Sequence, residues 1–139
     1  MNSCTPDNTV AITVRDGHTT IRGGDLIDPR DLAMAAAGLL ELLQQTAGDK
    51  GKNLRKVIRL LQKDYQRDKA ISFSFARSDA ERTIVLEFPR GDSVKIMTNK
   101  DLKPSDLYYA GVGLLSCVPG SEKAMRTLGF YGGVRSVVQ

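Results

Sequence analysis

The hydrophobic positions of this chain change their period several times, and each change marks an element. Val10, Ile12 and Val14 alternate with Ala11, Thr13 and Arg15, the period-two pattern of a half-buried strand. Asp16-Gly17 follows as a hairpin signal, because both central residues of a type I′ turn need positive φ. The return strand His18–Arg22 sets Thr19 opposite Val14 and Ile21 opposite Ile12, so the two apolar faces coincide. Gly23-Gly24 ends the hairpin.

The period then becomes helical. Leu32, Ala36, Leu39, Leu40, Leu43 and Ala47 form one stripe, widened by Ala35 and Leu42, with Glu41, Gln44 and Gln45 opposite. Boundary chemistry fixes this helix from Asp28 to Gly48. Asp28 caps the first turn, and Pro29 loses nothing at the first helical position. Asp31 complements the dipole, Ile27 and Leu32 form a hydrophobic staple, and Gly48 suits the closing left-handed residue. A second helix follows from Leu54 to about Arg67, with Asn53 as its cap and Leu54, Val57, Ile58, Leu61 and Tyr65 as its apolar stripe.

Three strand patterns come next, in Ile71–Phe75, Thr83–Phe88 and Ser93–Thr98. Polar turns at Arg77–Glu81 and Pro89–Asp92 separate them, which reads as an antiparallel meander. A helix from Pro104 to Val118 and another over Glu122–Leu128, capped by Ser121, complete the regular pattern. The tail holds Phe130, Tyr131, Val134, Val137 and Val138. It reads as a last strand of the sheet or as an exposed edge that pairs with another subunit.

Pro29–Leu43 and Pro104–Val118 align without a gap. They share Pro29/Pro104, Asp31/Asp106, Leu32/Leu107, Ala35/Ala110, Gly38/Gly113, Leu39/Leu114 and Leu40/Leu115. Each is preceded by a strand pattern and followed by a second helical pattern. Two explanations fit, a duplicated unit or recurrent helix-opening chemistry. The expected fold is α+β: an antiparallel sheet of about five strands with two helical pairs on one face, ordered ββααβββαα, with a terminal strand as an optional addition. Residues 10–139 form one expected domain behind a flexible N-terminus, residues 1–9.

With 139 residues, 41% of them hydrophobic, the chain suits one core. No window approaches the apolar length of a membrane span, and the start MNSCTPDNTV lacks the basic and apolar regions of a signal peptide. A cytoplasmic setting is expected, with Cys4 and Cys117 as reduced thiols. The net charge of +4 is unevenly spread. Residues 1–49 carry 3 basic and 7 acidic side chains, residues 50–69 carry 8 and 2, and residues 70–139 carry 9 and 7.

That concentration falls on the second helix. Arg55, Lys56, Arg59, Lys63 and Arg67, flanked by Lys50, Lys52 and Lys69, form a cationic face opposite the apolar stripe. Such a face attracts phosphate backbones, acidic protein surfaces or anionic lipid. The alternative is the solvated outside of a core helix. Only Tyr65 interrupts the cations with an aromatic ring, and it belongs to the apolar stripe, so base stacking is not indicated.

Other chemistries find little support. His18 is the only histidine, which excludes multi-histidine metal sites and leaves little for acid–base work. Asp25, Asp28 and Asp31 are spaced by three, as in a cation site, but the helix start already accounts for Asp28 and Asp31. Gly48–Asn53 fails the phosphate-loop spacing, and Arg90-Gly91-Asp92 reads as a hairpin turn. No zinc spacing, nucleophile elbow or dinucleotide fingerprint occurs, so no cofactor or metal is expected. The expected function is a small non-catalytic binding or regulatory protein acting through a macromolecular partner or self-association. Its two surfaces are the cationic face and the C-terminal edge, and a homo-oligomer is expected. The partner is an acidic protein surface or a nucleic-acid backbone, the latter making the protein a nucleic-acid binder through residues 54–67. A small enzyme comes third, for want of a convergent motif.

Overall fold

Strands β1 (Thr9–Arg15) and β2 (His18–Gly23) form the hairpin that the alternation predicts, with Val14 opposite Thr19 and Ile12 opposite Ile21. Asp16 and Gly17 turn it at φ +52° and +79°. The structure, a computed structural model, describes residues 8–24, 27–47, 53–65, 72–90, 93–128 and 136–138. Helices α1 (Pro29–Ala47) and α2 (Leu54–Tyr65) follow, then β3 (Ser72–Arg77), β4 (Thr83–Arg90) and β5 (Ser93–Thr98). Helices α3 (Pro104–Ser116) and α4 (Glu122–Thr127) precede a short β6 (Ser136–Val138). The fold is α+β in the order ββααβββαα, with a terminal strand added.

One sheet contains all six strands, in the order β3-β5-β4-β1-β2-β6. Its inner side carries Val10, Ile12, Val14, Ile21, Ile84, Leu86, Phe88, Val94 and Ile96, all buried beneath the helices. The intervening positions, among them Ala11, Thr13, Val85 and Met97, are only half-buried on the uncovered side. Helix α1 packs over β5 and α3 over β1 and β2, while α2 and α4 form the outer pair.

The antiparallel expectation needs correction. The sheet is mixed, because β3 pairs with β5 in parallel and β6 with β2 in parallel. Strands β3, β4 and β5 are therefore not a meander. The β4–β5 hairpin is antiparallel, and β5 lies between β3 and β4. The connection from Arg77 to Thr83 steps over the end of β5, where the Ser78 N–H donates to the Thr98 carbonyl at 3.0 Å. Crossing one strand needs only about 10 Å, which a short turn supplies as easily as it makes a hairpin. Pro89, which cannot donate to a ladder, sits where the β4–β5 register slips between Glu87 and Arg90.

Helix α1 begins as its sequence dictates, the Asp28 carboxylate accepting the Arg30 N–H at 2.8 Å and its side chain at 3.0 Å. Its closing Gly48 lies outside the described residues. The helix is more enclosed than its stripe implied, since every residue from Leu32 to Leu40 is buried. Ala33, Met34 and Ala37, off the stripe, are buried as well. Two expected caps act differently. Asn53, at φ +58°, gives its side-chain amide to the Thr127 carbonyl at 3.3 Å, and the Ser121 hydroxyl donates to the Leu115 carbonyl and accepts no N–H of its own helix.

Register and packing extend the sequence repeat to the whole fold. The hairpins β1–β2 and β4–β5 each lead into a core helix, an outer helix and a closing strand. The central contact is antiparallel pairing of β1 with β4, and outward from it β2 matches β5 and β6 matches β3. Each closing strand crosses to the other half: β3 lies parallel to β5, and β6 parallel to β2. Two aligned glycines mark the same contact. A Cβ on Gly38 of α1 would stand 2.9 Å from Ile96 on β5, and one on Gly113 of α3 would stand 3.6 Å from Ile21 on β2. Ile21 and Ile96 hold equivalent places in their hairpins, so each core helix presses on the sheet of the opposite half.

Candidate functional site: the cationic face of α2

Helix α2 buries Leu54, Val57, Ile58 and Leu61 toward α1 and α4. Its start is fixed by the Asn53 carbonyl, which accepts the Val57 N–H at 3.0 Å. Its end is fixed by Tyr65, whose hydroxyl donates to the Pro119 carbonyl at 3.0 Å. Burial pushes the Tyr65 phenol above its ordinary pKa, and the Asp64 and Glu122 carboxylates push the same way. The Asn53 side-chain amide on Thr127 and the Tyr65 hydroxyl on Pro119 reach the helix and turn of the second half, so the orientation of α2 is set from outside its own half.

That orientation turns the cations outward. Arg55, Lys56, Arg59 and Lys63 are all exposed, as their spacing predicts. They occupy an arc of roughly 100° and a length of about 12 Å on an ideal helix. None of the four pairs with a carboxylate among the described residues. Arg67, the fifth predicted member, lies outside the described residues, as do Lys50, Lys52 and Lys69.

The arrangement works against the helix that carries it. Arg55 and Lys56 stand in the first turn, at the positive end of the dipole, and no acidic residue accompanies them. A cation there typically loses ~0.3–1 kcal/mol relative to a well-placed one. Arg55/Arg59 and Arg59/Lys63 are like-charge i,i+4 pairs, each destabilising by ~0.2–0.5 kcal/mol. This signal was present in the sequence alongside the charge count.

At the predicted C-terminal edge, Val137 and Val138 lie on β6, the outermost strand beside β2. Phe130, Tyr131 and Val134 lie outside the described residues. His18 is exposed beside the β1–β2 turn. Cys117 is half-buried after α3 and lines a cavity of about 410 Å³ with Val10, Ile21, Ile27, Leu32 and Leu114. Burial pushes its thiol pKa up, partly opposed by a hydrogen bond involving Ser116, so the thiolate is disfavoured. No group of three potential metal ligands occurs among the described residues, and none of their helices is long and apolar enough to cross a membrane.

Sequence reasoning missed Arg82, which sits at φ +51° before β4. Its Nε donates to the Val14 carbonyl at 2.9 Å, and its guanidinium approaches the buried Asp106 carboxylate at 3.6 Å. Its backbone N–H reaches the Asp101 carboxylate at 3.1 Å, while Asp106 also accepts the Lys103 N–H at 2.9 Å. Arg82 thereby ties the end of β1 to the start of α3. An arginine in a polar turn gave no local sign of this.

No protein-family model, no curated protein and no solved structure matches the chain.

Proposed function

We propose that this is a non-catalytic binding or regulatory protein whose α2 face docks on an anionic macromolecular surface, an acidic protein surface in the first instance. The supporting observation is the placement of Arg55, Lys56, Arg59 and Lys63 on one exposed arc without acidic partners among the described residues, at a cost to their own helix. Charges that cost stability and face solvent serve electrostatic steering and register, for which the area of contact matters less. The second reading, phosphate contact with nucleic acid, uses the same four side chains. Tyr65 is occupied by Pro119 and does not offer its ring between the cations, so base stacking has no part in it.

The test replaces Arg55, Arg59 and Lys63 together with Gln. Stability should stay within about 0.5 kcal/mol of the parent, since the three are exposed. Binding to polyglutamate, the probe for an acidic surface, should fall, with the loss mainly in the association rate and strongest at low salt. If a short DNA duplex of arbitrary sequence binds instead, the slope of log affinity against log salt should flatten by about 2–3 units in the variant. That outcome selects the nucleic-acid reading. The absence of salt-sensitive binding to either probe makes the face solvation only.

A further inference from the structure

The first half's closing strand, β3, stands at the margin of the sheet with β5 as its one neighbour among the described residues. Edge strands are usually blunted by charge, proline, bulges or shortness, because unpaired backbone groups accept any free strand. Within β3 there is no proline, no charge before Arg77 and no slip of register against β5. Phe73 and Phe75 share the helix-facing side with Val94 and Ile96, their partners on β5. Phe73 reaches beneath α1, close to Gly38. Phe75 is 48% exposed, the one large hydrophobic side chain so exposed among the described residues.

This strand is complementary to itself. Turned end for end about Ser74, it sets Phe73 opposite Phe75, Phe75 opposite Phe73 and Ser72 opposite Ala76. Opposite residues of antiparallel strands share a face, so ring meets ring on the helix side and small side chains meet on the open side. No like charges face each other. A register centred on Phe75 would instead set Phe73 against Arg77, which makes Ser74 the better centre. An unrelated strand would need this pattern by chance, whereas a second copy supplies it by symmetry.

We propose that β3 pairs antiparallel with β3 of a second copy about a twofold axis at Ser74. The two sheets then become continuous, and each Phe75 is covered by the partner's Phe73. The proposal is independent of the α2 reading, whose cations play no part in it.

Light scattering on the whole protein should give twice the 15.2 kDa of one chain. Ser74 is exposed, so Ser74→Lys leaves the fold intact by circular dichroism. It brings two ammonium groups together on the axis and should halve the mass. Ser74→Cys should cross-link almost completely to a covalent dimer on mild oxidation, above the background of the parent with its own two cysteines. Ser72→Cys, which would face the partner's Ala76, should not. A parent that is monomeric over a wide concentration range overturns the proposal. So does a dimer that survives Ser74→Lys, or equal cross-linking at the two positions.

Discussion

Helices α2 and α4 hold equivalent places in the two halves, yet their charges obey different rules. Helix α4 opens with Glu122 and carries Arg126 in its last turn, the order that the helix dipole favours. Helix α2 has no acid in its first turn and has Arg55 and Lys56 there instead. Both are outer helices, and they pack against each other. The fold makes the same demand of each, so it does not account for cations at the wrong end of α2. A solvated face shaped only by stability would resemble α4, and this contrast is what supports the docking role proposed for α2.

In the core the two halves should behave alike. Leu39 and Leu114 are aligned, lie on α1 and α3, and are both fully buried. Leu39→Ala and Leu114→Ala should each cost ~2–5 kcal/mol through lost burial and a residual cavity. Leu39→Ala should fall toward the upper end, because α1 is enclosed on every side from Leu32 to Leu40. Urea denaturation midpoints decide this. An unchanged midpoint in either variant would remove that helix from the shared core.

A smaller effect should break the symmetry at the aligned glycines. A Cβ at Gly38 would meet the Phe73 ring at 2.7 Å, and one at Gly113 would meet Thr19 Cγ2 at 2.7 Å and Thr19 Cβ at 3.2 Å. Alanine gains up to ~1 kcal/mol over glycine in a helix, while overpacking loses ~1–3 kcal/mol. Phe73 belongs to an edge strand, and Ile96 meets Gly38 only with its terminal Cδ1 at 2.9 Å, so both can yield by rotation. Thr19 is β-branched, lies on the interior strand β2 and donates its hydroxyl to the Tyr109 carbonyl at 3.2 Å, so it cannot. Gly113→Ala should therefore lose ~1–2 kcal/mol and Gly38→Ala much less. Equal thermal shifts would show that both contacts are equally stiff.

What the sequence disclosed follows from which forces are local. Hairpin register, helix limits and the exposed cations depend on neighbours a few residues away, and Val14/Thr19, Pro29 and Arg59 all stand where period and capping put them. Strand partnership is not local. Phe73 and Phe75 alternate identically whether β3 lies beside β4 or β5, so alternation announced a strand and left its neighbour open. Alanine is equally ambiguous. Ala33 and Ala37 suit water or a core, and only the packing of α1 decides that they are buried. Arg82 escaped notice for the same reason, since its partners Val14 and Asp106 are distant in sequence.

The reciprocal exchange of closing strands also sets an order in time. The β3–β5 pairing joins positions about 20 residues apart, whereas β6 must find β2 near the other end of the chain, Ser136 beside Thr19. Loop-closure entropy makes the longer search harder by roughly 1.5 kcal/mol. Only three residues of β6 offset that, against six of β3. The last strand should dock after the rest of the sheet and release before it, and pulsed amide exchange along β2 and β5 would reveal the lag. During synthesis β2 keeps a bare margin until β6 has left the ribosome. For that interval the uncovered margin of β2 is open to a strand of a neighbouring nascent chain, the exposure from which domain swapping starts.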